Sequence, residues 1–327
     1  MRHLAAALIF AASPAFAGVE EAIDDHILPA TAAFEAATED LARTAQADCR
    51  AETLRSAYQD AFDAWMGISH LRLGPLEEDG RALAIGFWPD TRGMVQRTVA
   101  GLLADADPVV ESPEAFAEVS VAGRGLFALE RLLYDDAVSG YGADDYACAL
   151  ATAIARDLHR MAEDIDTEWR EDFAATLRTA GKPGNDTFLT DKEAAQALYT
   201  ALTTGLEFTK DQRLGRPMGT FDRPRPERAE ARRAGRSLHN VELSLEALRD
   251  LARALATGPT PDTEAAFAAA LELAAELDPV LADVAQVQGR FEAEILQQRI
   301  EAIQHAVANE IGVTLGVSAG FNATDGD

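Results

Sequence analysis

DYACALATAIARDLHRMAEDIDTEWREDFAATLRTA, residues 145–180, decides the fold. Its Leu, Ala, Ile and Phe residues recur every three or four positions among Asp, Glu and Arg, so one helix face is apolar and the other polar. A half-buried strand would alternate every second residue, and that signal is nearly absent from the chain. Residues 228–256 repeat the helical pattern. Working outward, further helices are expected over 19–45 (bent near Pro29), 52–68, 91–104, 113–134, 191–211, 261–275 and 284–310. Segments of this length, joined by loops holding Gly and Pro, describe an all-α protein of antiparallel helix bundles. The polar turn Gly181-Lys182-Pro183-Gly184-Asn185-Asp186 separates two long helices. It is the expected boundary between a first bundle lobe, 18–180, and a second, 181–327.

The N-terminus reads as an export signal over residues 1–17. Arg2 and His3 form a short basic start, Leu4 to Ala12 is apolar, and Ala15-Phe16-Ala17 supplies small residues for cleavage. The apolar run is too short to span a bilayer, which takes roughly 20 residues. No later segment is long and apolar enough to do so. The expected location is therefore a bacterial periplasm, or the medium. A net charge of −26 and a pI near 4.5 exclude nucleic acid and anionic lipid surfaces as natural partners, since both repel so acidic a protein. Cys49 and Cys148 fall on expected helices. In an oxidising compartment they form either a disulfide or two separate buried thiols.

The two halves echo each other. Residues 123–133, GRGLFALERLL, align without gaps on 235–245, GRSLHNVELSL, with Gly, Arg, Leu, Glu and Leu coinciding. A second echo pairs Arg72-Leu73-Gly74-Pro75 with Arg213-Leu214-Gly215-Arg216-Pro217. Two echoes in the same order point to internal duplication. Related lobes packed about a pseudo-twofold axis would leave a cleft at their interface.

Three segments then carry a family resemblance: Leu71-Arg72-Leu73-Gly74-Pro75, Gly86-Phe87-Trp88-Pro89-Asp90-Thr91-Arg92, and the closing run from Leu315 to Asp327, LGVSAGFNATDGD. Together with Lys210-Asp211-Gln212-Arg213-Leu214 and Arg236-Ser237-Leu238, they resemble the imelysin-like proteins over essentially the whole mature chain. The resemblance implies a two-lobed helical fold exported to the bacterial envelope. It also implies either metallopeptidase activity or a part in iron uptake or regulation.

The family's Gly-x-His-x-x-Glu motif is altered here. Gly125-Leu126-Phe127-Ala128-Leu129-Glu130 keeps the Gly and the Glu, but Phe127 stands at the imidazole position. Residues three apart share a helix face, so His and Glu at that spacing hold one cation together; phenylalanine offers no lone pair. Glu130 is left as a ligand, an ion-pair partner beside Arg124 and Arg131, or a core acid. In the aligned second half, Phe127 corresponds to His239 and Glu130 to Glu242, so His239 and Glu242 are candidate metal ligands from the other lobe.

Peptidase chemistry lacks its usual spacing. No His-Glu-x-x-His run occurs, and the five mature histidines, His26, His70, His159, His239 and His305, are dispersed. No Gly-x-Ser-x-Gly elbow is present either. The loop from Gly74 to Gly93 is a better candidate, because it concentrates Arg72, Trp88, Asp90 and Arg92 between helices. Its structural alternatives are a helix cap at Asp90 and a core position for Trp88. Asp211, Arg213 and Asp325 complete the expected cleft residues. Three readings stay open: a non-catalytic periplasmic protein binding a metal, iron or zinc, with a role in iron uptake; an envelope metallopeptidase; or a cleft that recognises a small ligand or another envelope protein.

Overall fold

A computed structural model describes residues 18–318. The leader expected over 1–17, and the tail with Asp325 and Asp327, lie outside the described residues. In chain order the helices are α1 (residues 19–47), α2 (Ala51–Ile68), α3 (Arg81–Ile85), α4 (Met94–Asp105), α5 (Pro113–Ala117), α6 (Gly125–Tyr134), α7 (residues 146–178), α8 (residues 191–218), α9 (Ser237–Leu255), α10 (Pro261–Ala274) and α11 (residues 287–315). No strand occurs among the described residues, where β structure amounts to one isolated bridge between Thr220 and Arg223. No described helix is long and apolar enough to cross a membrane.

Helix α7 shows why the apolar spacing becomes a bundle. Leu150, Ile154, Leu158, Met161, Ile165 and Trp169 form one stripe that is buried along its length. The stripe packs on α1, which also packs on α2, while α6 closes the group against α2 and α7. Each such leucine or isoleucine contributes roughly 1.5–3 kcal/mol by leaving water. In the later half of the chain, α8 packs on α9, α9 on α10 and α10 on α11, and α9 also packs along α2. The buried apolar residues form one continuous cluster through both halves. Cys49 and Cys148 are bonded, tying the turn after α1 to the start of α7 across 99 residues. A loop of that length stabilises the fold by about 4–5 kcal/mol in the chain-entropy account.

The long helices α1, α7, α8 and α11 each contain a π turn, at Ala22–Ile27, Trp169–Phe173, Thr209–Leu214 and Ala308–Gly312. One extra residue per turn rotates the buried face, and such turns gather at functional positions. In α7 the π turn lets both Trp169 and Phe173 turn inward, their rings meeting edge-on at 4.9 Å. In α1 it precedes Pro29, where the sequence predicts a bend, and buries His26 and Ile27.

Two expected helices are shorter than their apolar pattern. The segment expected as one helix over 113–134 divides into α5 and α6, because Gly125 begins α6 at φ +71°. A Cβ there would stand 2.0 Å from the Ala84 carbonyl oxygen, so only glycine allows α3 to approach so closely. The helix expected from 228 starts instead at Ser237. Residues 226–228 and 232–234 form short 3-10 turns, the second pinned by the Glu130 carboxylate.

Candidate functional site

Two cavities meet at Trp88 and Phe127. One, of about 300 Å³, lies between the 87–96 segment, α6 and the 216–233 segment. The other, of about 390 Å³, lies between the end of α2, Gly86 and the α8 π turn. Trp88 and Phe127 line both, so the loop and the altered motif form a shared wall. Trp88 is held edge-on to Phe208 at 5.9 Å, and Phe127 edge-on to Phe62 at 5.7 Å.

The larger cavity has aromatic walls and a polar floor. Arg72 and Arg213 reach it from the two halves of the chain, together with His70, Glu77 and Glu230. Arg213 is fully engaged: it donates to Glu230 at 2.8 Å, to Thr209 at 3.3 Å and to Ser244 at 3.2 Å, and stacks on Phe208. Arg72 is less engaged, donating Nε to the Ser69 carbonyl at 3.1 Å and lying 3.8 Å from Glu77. Burial, with Arg213 nearby, pulls its pKa down. His70 and His26 meet Nε2 to Nε2 at 3.0 Å, which requires one donor and one acceptor nitrogen. Burial depresses both: His26 falls to about 4 despite Asp250, and His70 lies well below its usual range, helped down by His26 and Arg213.

At the smaller cavity, two of the three lining acids accept from the backbone, while Glu227 pairs with Arg225 at 3.7 Å. Asp90 accepts from the amides of Arg92, Met94 and Val95 at 3.2, 2.9 and 2.9 Å, capping α4. Glu130, 3% exposed, accepts from the amides of Arg233 and Ala234 at 2.9 and 3.2 Å. Burial raises its pKa.

The structure therefore brings Arg72, Trp88, Asp90, Arg213 and Glu130 to adjoining cavities. It leaves others aside. Arg92 and Asp211 are exposed and line neither cavity, Asp211 pairing with Lys210 at 3.7 Å. His239 is 44% exposed on α9, 3.1 Å from Asp63 and 3.8 Å from Glu242. It does not join Glu130 in a shared site. Among the described residues, no group of three or more His, Cys, Asp or Glu side chains is arranged to hold a metal ion. The motif offers a metal few donors: Phe127 is apolar and packed, and one of the two Glu130 oxygens, Oε1, accepts from both amides.

Sequence reasoning missed Glu230, the His26–His70 pair and the arginines of residues 216–236. A signal for the last existed. That stretch holds seven arginines against three acids, in a chain where Asp and Glu outnumber Lys and Arg 55 to 29. Hydrophobic periodicity passes over such a run.

Fold and site together define an all-α bundle protein with a cleft walled by the 86–96 loop, α6 and the 216–236 segment. Residues 27–310 match the model of the imelysin peptidase family, and the chain belongs to that family. Among solved structures, an imelysin-like protein from Psychrobacter arcticum shares 22% identity, covering 97% of this chain and 100% of that one, with a TM-score of 0.75. A protein from Parabacteroides distasonis, named as an iron-regulated protein A precursor, shares 11% identity with a TM-score of 0.65, covering 91% of this chain and 95% of that one. At these identities the likeness is one of fold. No curated protein matches the chain.

Proposed function

We propose that this member of the imelysin family is a non-catalytic binding protein of the bacterial periplasm, or of the medium, that takes part in acquiring or handling iron. The observation that carries the non-catalytic part is the occupation of the motif. Phe127 sits against Phe62 where a metal-binding imidazole would be, and Glu130 Oε1 accepts from two loop amides. A metallopeptidase needs a metal-activated water and a carboxylate base; Phe127 offers the metal no ligand, and the Glu130 oxygen that holds the amides is not free to act as the base. The iron role is supported by the family and by the name of the Parabacteroides neighbour. Export is supported by the N-terminal sequence and by the Cys49–Cys148 pair, which suits an oxidising compartment. Iron is cargo in this reading, carried by a ligand in the cleft.

Two measurements test it. A strain lacking the chain should grow poorly when iron is scarce and normally when iron is supplied. Purified protein should leave an unfolded polypeptide intact with or without chelator. Cleavage that a chelator abolishes would establish the metallopeptidase reading instead. Growth indifferent to iron would turn the assignment toward recognition of another envelope component.

A further inference from the structure

The smaller cavity is basic, although the protein as a whole carries a charge of −26. Arg131, Arg216, Arg228, Arg232 and Arg233 line it, against Asp90, Glu130 and Glu227. Asp90 and Glu130 already serve backbone amides. Arg131 and Arg233 share Asp135 at 2.9 and 3.4 Å. Among the described residues the remaining three guanidinium groups make no close ion pair, although the Glu130 carboxylate feels the charge of Arg232. Arg216 bonds the neutral amide of Gln212 at 3.2 Å, Arg232 bonds the Glu227 carbonyl at 3.2 Å, and Arg228 makes no side-chain hydrogen bond or ion pair. Burial and the neighbouring Arg228 charge both disfavour protonated Arg216. In a chain with nearly twice as many acids as bases, a cleft lined by five arginines and three acids, with three of the arginines in no close ion pair, is chemically informative.

We infer that this cleft binds a compact, multiply charged oxyanion, a polycarboxylate such as a tricarboxylate, free or as its ferric chelate. The guanidinium fork matches carboxylate oxygens in bidentate pairs, and several forks around one concavity suit an anion with several carboxylates. A volume of about 300 Å³ admits a small molecule of this kind and no polymer. The apolar wall of Trp88 and Phe127 shields the charges and strengthens their attraction. The inference deepens the binding role proposed above, and its iron-chelate form rests on that reading; anion binding itself does not.

Calorimetric titration of the mature full-length chain with citrate, inorganic phosphate, acetate and ferric citrate tests the assignment. Citrate and ferric citrate should bind at one competing site, acetate should not saturate, and added salt should weaken binding. R216A/R228A should lose roughly tenfold or more in affinity with an unchanged circular dichroism spectrum, and R216K/R228K should recover part of it. R43A, which removes an exposed arginine of α1 that lines neither cavity, should bind as the natural chain does. No saturable citrate binding, or equal binding by R216A/R228A, overturns the inference. Tighter binding of phosphate than of citrate overturns the polycarboxylate assignment. Citrate binding without an iron-dependent growth defect sustains the anion site and removes the iron role; a growth defect without anion binding does the reverse.

Discussion

Residues 123–133 and 235–245 share a sequence skeleton but differ in what they present. Both begin a helix at the aligned position, α6 at Gly125 and α9 at Ser237. Both bury the preceding arginine against an acid from another helix. Arg124 forks onto Asp157 at 2.7 and 3.1 Å, and Arg236 reaches Asp63 at 2.5 Å. Leu126 and Leu238, Leu129 and Val241, and Leu133 and Leu245 are all buried. These parallels concern where each helix starts and which residues it buries. The remaining face separates them. Phe127 and Glu130 are enclosed by α2, α4 and the 225–236 segment, whereas His239 and Glu242 face outward, the histidine 44% exposed. A short pattern thus specifies helix start and core while leaving the chemistry of the third face to whatever packs against it.

The comparison can be broken most forcibly at the arginines. R124A should lose about 3–4 kcal/mol in urea unfolding, because Asp157, 3% exposed at its side chain, loses its bidentate partner and keeps only the half-exposed Arg160 at 3.0 Å. R236A should lose less, about 2–3 kcal/mol, because Asp63 is 41% exposed and can rehydrate. Equal losses would mean that burial of the acid is not what distinguishes the two.

Acid sensitivity comes next. Below pH 6.5 the unfolded chain protonates at His26 and His70, while the folded chain refuses the proton at His26 until about pH 4. Stability should therefore fall as pH drops through that window. The His26 penalty should approach roughly 3 kcal/mol at the lower end, and neither state gains a proton there above pH 6.5. Thermal melts of H26N should show a shallower acid slope than the natural chain, and melts of the exposed-site variant H239N the same slope. A steep slope retained in H26N would remove the buried pair as its cause.

A smaller effect is expected at Glu130. E130A orphans two amides of the 232–234 turn and should cost about 2 kcal/mol, with faster backbone hydrogen exchange confined to that turn. E242A should stay within about 0.5 kcal/mol. Smallest of all, H239A/E242A should leave the metal content of protein purified from its native compartment unchanged. Loss of metal in that variant would restore the second-half pair as a ligand set.

Much of the fold was legible in the sequence because helix periodicity is local. The 145–180 stripe needs only its own residues to show which face is apolar, and α7 follows it to within a few residues at each end. Misreadings arose where a distant contact overrode the pattern. The 113–134 helix breaks because α3 presses on Gly125, and the start of α9 is delayed because Glu130 holds residues 233 and 234. The site was legible in part. Trp88, Asp90, Arg72 and Arg213 were singled out as loop and repeat residues, and all four line the cavities. The arginines at 216, 228 and 232 were passed over, since a charge run shows no period and ordinarily faces water.

The sequence by itself determined the helical class, the acidic charge and the loss of an imidazole at Phe127, since each is a property of neighbouring residues or of composition. The tertiary structure decided that Phe127 and Trp88 share a wall between two cavities, that Glu130 is a loop anchor, and that three arginines converge on one cavity without a close ion pair. The Phe127–Trp88 wall is a meeting of positions 39 residues apart, and the Glu130 anchor one of positions 103 apart. Side-chain exposure and ion pairing are set by that meeting, and no local pattern records it.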